Sequence, residues 1–144
     1  MLLAGAVLLL GGCVTPRQQA LLMRAPRNEV FTPDSKAIPL PEGESHVFAE
    51  FERTGDHNVC LLRLARDAKL TKRWHAQHDL ILVCAAGQAI VTVEETRYHA
   101  PPGTTVVIPS MTAYSIAPDD SRQDMAVIFI FSPPFEGRDT FLEE

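Results

Sequence analysis

The chain of 144 residues has the length of one ordinary domain plus a tail, and it is too short for two domains with separate cores. Hydrophobic residues make up 46% and charged residues 22%, near the average for a globular domain, which argues against a disordered chain and a multi-span membrane protein. The formal net charge of -5 leaves no basic surplus to neutralise phosphates, so we expect no nucleic-acid partner.

The N-terminal stretch MLLAGAVLLLGGC departs from this ordinary composition. Its uncharged apolar run, from Leu2 to Leu10, is too short to span a bilayer and has the length of a secretory signal. The two glycines and Cys13 that follow resemble the lipobox of bacterial lipoproteins. This resemblance implies that residues 1–12 are removed and that Cys13 is acylated.

The predicted anchor makes the membrane a partner and places the protein in the cell envelope. Val14 follows the cysteine, whereas an aspartate there holds enterobacterial lipoproteins at the inner membrane, so we expect the outer membrane, facing the periplasm, in a Gram-negative organism. No Lys or Arg precedes the apolar run, which indicates a true start upstream of Met1. The alternative is an N-terminal hydrophobic strand in which Cys13 is an ordinary buried thiol.

Residues 13–45 are predicted to form a tether between lipid and domain. This segment holds five of the eleven prolines, mixed with polar and charged residues. Proline prevents long helices, so such a composition is typical of a linker.

From His46 onward the pattern predicts an all-β domain over residues 46–135, followed by a C-terminal tail at 136–144. Short apolar or alternating runs are separated by turn residues, and no useful helical period appears. Eight strands closing on one core imply a sandwich, jelly roll or small barrel. The predicted strands are 46–53, 58–65, 79–85, 88–94, 96–100, 104–109, 113–118 and 125–131.

Residues 67–118 resemble the two signature motifs of the cupin superfamily. The stretch RWHAQHDL falls in the register of the first motif, which Gly87 closes, and Gly103 is followed after five residues by Pro109, as in the second motif. The resemblance implies a jelly-roll barrel of the double-stranded β-helix type. Cupins often pair through their outer strands, so it also implies a homodimer.

Cupins bind a divalent metal through two histidines and a glutamate of the first motif and a histidine of the second. Those positions hold Arg73, His75, Leu80 and Tyr114, so one ligand of four is kept. A guanidinium has no lone pair to donate and repels a cation. We therefore predict no metal cofactor; the alternative is Fe, Mn, Ni or Zn bound by His75, His78 and a further carboxylate.

The direction of the nearby side chains follows from strand alternation. If Leu80 points inward, Leu82 and Cys84 share its face and Asp79 points away. We expect His75 to be an interior histidine bonded to neighbours such as Tyr114. For His78 an exposed or loop-bonding side chain is favoured over a metal ligand.

Other candidate residues have ordinary interpretations. His46, His57 and His99 are expected on the surface, and Trp74 against the barrel wall, with stacking on a ring-shaped ligand as its alternative. Cys60 and Cys84 are expected to be separate core thiols; a disulfide becomes worth testing if their strands are neighbours.

Arg73, His75 and Tyr114 are the candidate ligand-binding residues, and no catalytic residue is assigned. Arginine suits carboxylate or phosphate, while histidine and tyrosine add orienting hydrogen bonds. The first hypothesis is a module that binds a small polar or anionic ligand, or is structural, without metal catalysis. The others are a metal-dependent isomerase or dioxygenase, and an interaction protein whose barrel is filled.

Overall fold

A computed structural model of the protein describes residues 39–119 and 122–142. The predictions about the signal segment, Cys13 and most of the tether lie outside these residues. In the described part, no helix is long and apolar enough to cross a membrane. Its regular elements are ten strands: β1 His46–Arg53, β2 Asn58–Leu64, β3 Leu70–His75, β4 Asp79–Ala86, β5 Ala89–Val93, β6 Thr96–Ala100, β7 Thr105–Ile108, β8 Tyr114–Pro118, β9 Met125–Ser132 and β10 Thr140–Leu142.

The strands form two five-stranded sheets. One has the order β1-β2-β9-β4-β7 and the other β10-β3-β8-β5-β6, and every strand pair is antiparallel. Most neighbours within a sheet are distant in sequence, which is how a jelly roll differs from a series of hairpins. The all-β, double-stranded β-helix prediction is confirmed.

The core lies between the inner faces of the sheets. Along β4, Leu80 and Leu82 are fully buried and Cys84 is almost so, whereas Asp79 and Ile81 on the other face are exposed. This alternation confirms the predicted orientation of the β4 side chains, with Leu80 pointing inward and Asp79 outward. On β2 the inward positions are Cys60, Leu62 and Leu64, and all three belong to the same core cluster.

All eight predicted strands are present, with ends within one residue of the predicted ones, but two strands were missed. β3 was missed because Lys72 and Arg73 interrupt its apolar alternation, and β10 because three residues are too few to show a pattern. β10 pairs with β3, so the barrel includes residues of the predicted C-terminal tail.

The two motif glycines occupy turns with left-handed backbone. Gly87 has φ of 72° and Gly103 has φ of 90°. A Cβ on Gly87 would lie 2.7 Å from the Asp124 carbonyl oxygen, while a Cβ on Gly103 would meet nothing within 4 Å. Met111 lies two residues after Pro109, where the second cupin motif has a glycine, and its backbone has a left-handed φ of 64°.

Cys60 and Cys84 are free thiols, as the main prediction expected. β9 lies between their strands, so the condition set for a disulfide is not met. Burial raises the pKa of Cys60 to about 11 and also raises the pKa of Cys84. Both thiols stay protonated near neutral pH and are poor nucleophiles.

We predict that Gly87→Ala and Gly103→Ala destabilise the protein to different degrees. Both add the strain of a left-handed alanine, about 1 to 2 kcal/mol, and Gly87→Ala adds a backbone clash worth about 1 to 3 kcal/mol more. Urea unfolding of the two variants measures the difference. Equal losses of stability in the two variants would show that the neighbouring backbone moves away from the new Cβ at position 87 without a cost in free energy.

Candidate functional site

A cavity of about 410 Å³ lies between the two sheets. Both sheets and the segment after β9 contribute to its wall, and most of the lining side chains are aromatic or aliphatic. The lining residues are His46, Phe48, Leu62, Leu70, Arg73, His75, Tyr114, Phe129, Phe131, Phe135, Gly137, Thr140 and Leu142.

The three candidate ligand-binding residues share this cavity. Arg73 and His75 lie on β3, and Tyr114 begins β8, where it is the register partner of Arg73. Leu80, which occupies the glutamate position, is fully buried in the core. The structure thus brings Arg73, His75 and Tyr114 together in one cavity.

His75 is 4% exposed, and both of its ring nitrogens have partners. Nδ1 lies 3.0 Å from the Asp139 carbonyl oxygen and Nε2 lies 2.9 Å from the Tyr114 hydroxyl. A carbonyl can only accept, so Nδ1 donates and the neutral ring accepts the Tyr114 proton at Nε2. The expected hydrogen bond between His75 and Tyr114 is confirmed.

Burial keeps the His75 and Tyr114 pair uncharged. Desolvation lowers the pKa of His75, and this effect outweighs the hydrogen bond from the ring to Asp139, which raises it. Desolvation also raises the pKa of the Tyr114 phenol, which the nearby Arg73 only partly opposes. A neutral imidazole and a protonated phenol therefore face the cavity at neutral pH.

The Arg73 side chain is the cation of the cavity. It is partly buried, and desolvation lowers the pKa of its guanidinium. Nε donates to the Thr71 carbonyl at 3.0 Å and Nη2 donates to the Thr71 hydroxyl at 3.1 Å. Among residues 39–119 and 122–142, Arg73 makes no ion pair with a carboxylate.

The prediction for His78 was an exposed or loop-bonding side chain. The side chain does bond to a loop, but it is buried rather than exposed. Its ring is 7% exposed; Nδ1 donates to the Pro133 carbonyl at 2.7 Å, and Nε2 lies 3.4 Å from an Asp139 carboxylate oxygen. The Asp139 carboxylate also accepts from the Gln77 backbone at 2.7 Å. These contacts attach the turn after β3 to the segment before β10. Sequence could not show this, because the burial comes from a segment far along the chain.

The four motif positions do not fit a divalent metal. Arg73 and Leu80 offer no lone pair, Tyr114 keeps its proton, and both nitrogens of His75 are in hydrogen bonds. In the part of the chain that the structure describes, no group of three His, Cys, Asp or Glu side chains could hold a metal ion. That the protein carries no metal stays a prediction.

Sequence reasoning missed most of the apolar lining and one polar residue, His46. This histidine is exposed, as expected, but it also lines the cavity. Alternation along β1, β2 and β9 places Phe48, Leu62 and Phe129 on the face towards the cavity, so their place in its wall had a signal in the sequence, and Phe48 is still 43% exposed. Thr140 and Leu142 had none, because β10 was not predicted.

Trp74 takes no part in the cavity wall. Its ring stacks on Phe141 of β10 at a centroid distance of 4.2 Å and an interplanar angle of 14°. It packs on the barrel, as predicted, and its partner is a side chain of the neighbouring strand.

The fold and the spacing of the turn residues around this cavity define a cupin-type barrel. The chain belongs to the family of AraC-like ligand binding domains, whose sequence model matches residues 59–134. This match spans the cavity residues from Leu62 on β2 to Phe131 on β9.

Relatives are found among curated proteins and among solved structures. The L-ectoine synthase of Thermobifida fusca is 31% identical over 71 residues, which cover 48% of this chain and 51% of that enzyme. The chain therefore spans about half the length of this curated relative.

Two solved structures show the same fold. KdgF from Halomonas sp. is 23% identical and superposes with a TM-score of 0.63 over 72% of this chain and 93% of its own. A double-stranded β-helix protein from Klebsiella pneumoniae subsp. pneumoniae reaches 0.66 at 11% identity, covering 80% of this chain and 96% of its own. At these identities the likeness establishes the fold alone.

The burial of neutral His75 predicts a pH dependence of stability. The pKa of His75 is lower in the folded protein than its ordinary value of 6.5, so the unfolded chain binds more protons between these two values. The free energy of unfolding therefore decreases as the pH falls below about 6.5. We expect His75→Gln to lose less stability than the wild type between about pH 7 and pH 5.

Urea unfolding at several pH values measures this slope for both proteins. An identical slope in wild type and His75→Gln would contradict the assignment of a buried neutral ring.

Proposed function

We propose that the domain binds a small anion in the cavity, at the guanidinium of Arg73. One observation carries this proposal: a partly buried cation faces the cavity, and no carboxylate of the described residues neutralises it. Removing a cation from water costs free energy unless an opposite charge is near. A bound carboxylate would supply that charge, and the fork of N–H groups on Arg73 suits its two oxygens.

Two further observations support a binding role. The family to which the chain belongs is described as a ligand-binding domain. The cavity volume of about 410 Å³ lies within the range of small-molecule sites, about 300 to 1,000 Å³. His75 and Tyr114 lie beside Arg73 and are uncharged, so neither forms an ion pair that would compete with a bound anion.

Anion binding should raise the melting temperature of the wild-type protein and not that of Arg73→Met. The probes are acetate, 3-phenylpropionate, galacturonate and inorganic phosphate, each titrated from micromolar to tens of millimolar. A ligand at a hundredfold excess over its Kd stabilises the folded state by about 2.7 kcal/mol, which is a shift of several degrees. Methionine keeps much of the side-chain length and removes the unpaired charge, so we expect Arg73→Met to fold.

Arg97→Met is the matched control, because Arg97 is exposed on β6 and does not line the cavity. It should keep the full anion-induced shift. If none of the anions shifts the wild type, or if Arg73→Met responds as the wild type does, the proposed function is wrong and a structural role is favoured.

We further propose that the domain is held at a membrane by a lipid on Cys13, in the bacterial cell envelope. The support is the sequence itself: an apolar run, two glycines and a cysteine, followed by a proline-containing segment before β1. A single acyl chain binds membranes only marginally, and two or more hold a protein stably.

Substitution of Cys13 tests the anchor. Cys13→Ser should move the full-length protein from the membrane fraction to the aqueous fraction and abolish incorporation of a labelled fatty acid. Val14→Ala, at the adjacent position, should remain in the membrane fraction and keep the label. Continued membrane retention of Cys13→Ser without label would count against lipidation.

A further inference from the structure

Four phenylalanines form a continuous apolar wall of the cavity. Phe48 and Phe129 have ring centroids 6.0 Å apart, Phe129 and Phe131 5.7 Å, and Phe131 and Phe135 4.8 Å. All four line the cavity, and they come from β1, β9 and the segment that follows β9. Aromatic side chains offer flat, polarisable surfaces that favour stacked or edge-on contacts with another ring.

The polar side chains of the cavity have little hydrogen-bonding capacity left. Both nitrogens of His75 are taken, and the Tyr114 proton is directed at His75. Thr140 contributes one hydroxyl, which lies 3.4 Å from His75 Nδ1. The exposed His46 contributes one ring nitrogen, because the neighbouring serine hydroxyl lies 3.1 Å from its Nδ1. A guanidinium has about five N–H groups. Two N–H groups of Arg73 point at Thr71, so three remain for a ligand.

With few free polar groups and a large apolar wall, the cavity is expected to distinguish polyhydroxylated acids from acids with an apolar body. A polyhydroxylated acid brings several hydroxyl groups, each of which loses water on entering the cavity and needs a partner. A buried hydroxyl without a partner costs about 1 to 3 kcal/mol. An acid with one carboxylate and an apolar ring needs polar partners at one end only, and the phenylalanine wall can bury the rest.

We infer that the cavity of this protein selects a monocarboxylate with an apolar, ring-containing body, of the aryl-alkanoate class. The carboxylate bonds to the free N–H groups of Arg73, and the ring lies against the wall formed by Phe48, Phe129, Phe131 and Phe135. This inference rests on the proposed function and adds the chemical class of the ligand to it.

Isothermal titration calorimetry on the full-length protein tests the inference with three probes. These are 3-phenylpropionate, its uncharged amide 3-phenylpropionamide, and galacturonate, which carries the same charge on a hydroxylated ring. We expect 3-phenylpropionate to bind at least about tenfold more tightly than either of the others, which corresponds to 1.4 kcal/mol or more. The amide tests the charge, and galacturonate tests the apolar wall.

Two pairs of variants assign the contacts. Arg73→Met should weaken 3-phenylpropionate at least about tenfold and leave the amide unchanged, while Arg97→Met changes neither. Phe48→Ser should weaken 3-phenylpropionate and its amide alike. Phe51→Ser is its control, because Phe51 lies on the same strand with similar exposure, 40% against 43%, but does not line the cavity. Both positions are exposed enough for the variants to fold.

The outcomes separate the inference from the function on which it rests. If galacturonate binds as tightly as 3-phenylpropionate and Arg73→Met abolishes both, the ligand class is wrong and anion binding stands. If Phe48→Ser and Phe51→Ser have equal effects on the aryl probe, the phenylalanine wall is not the binding surface and the inference falls. If no probe binds, or if Arg73→Met binds 3-phenylpropionate as the wild type does, the inference and the proposed function both fail.

Discussion

The organisation of the site depends on the burial of the His75 ring, because a buried imidazole needs a partner for each nitrogen. The Tyr114 hydroxyl on β8 donates to Nε2, and the Asp139 carbonyl accepts from Nδ1. The His75 side chain therefore connects three separate parts of the chain. The Asp139 carboxylate holds the turn after β3 as well, through the Gln77 backbone. The short strand β10 is thereby fixed beside β3, and the two together form one side of the cavity.

The same network holds β3, β8 and β10 together in a barrel whose motif positions carry Arg73, His75, Leu80 and Tyr114. The turn glycines serve the backbone: Gly87 gives room to the Asp124 carbonyl, and Met111 adopts the left-handed conformation of the glycine it replaces. These demands are independent of any ligand. Where a metal would join β3 to β8 by coordination, His75 and Tyr114 join them by a hydrogen bond between uncharged groups.

Sequence predicted the fold better than the site, for a physical reason. Eight strands were identified because one face of each is apolar, and alternation reports that face directly. β3 was not predicted because its inward positions include the polar residues Arg73 and His75. A strand that serves only the core carries apolar residues at such positions. The strand that departs from apolar alternation is therefore the one that supplies the polar side of the cavity. The motif register still located these two residues and Tyr114. The burial of His78 and the contribution of β10 depend on contacts across more than fifty residues, which no local pattern encodes.

The cavity is electrostatically asymmetric, because Arg73 is charged and its polar neighbours His75 and Tyr114 are neutral. A divalent cation would put positive charge at the centre of the ligand set, whereas here a guanidinium carries it and the neighbouring polar groups stay neutral. Hydrogen bonds from Arg73 to the neutral Thr71 offset only part of the cost of its desolvation, and under the proposed function a bound carboxylate would offset more. Under the proposed function, that difference would contribute to the affinity of the cavity for an anion. Arg73 and the phenylalanine wall line the same cavity, so the proposed amphipathic acid would place its carboxylate at the guanidinium and its apolar body against the wall.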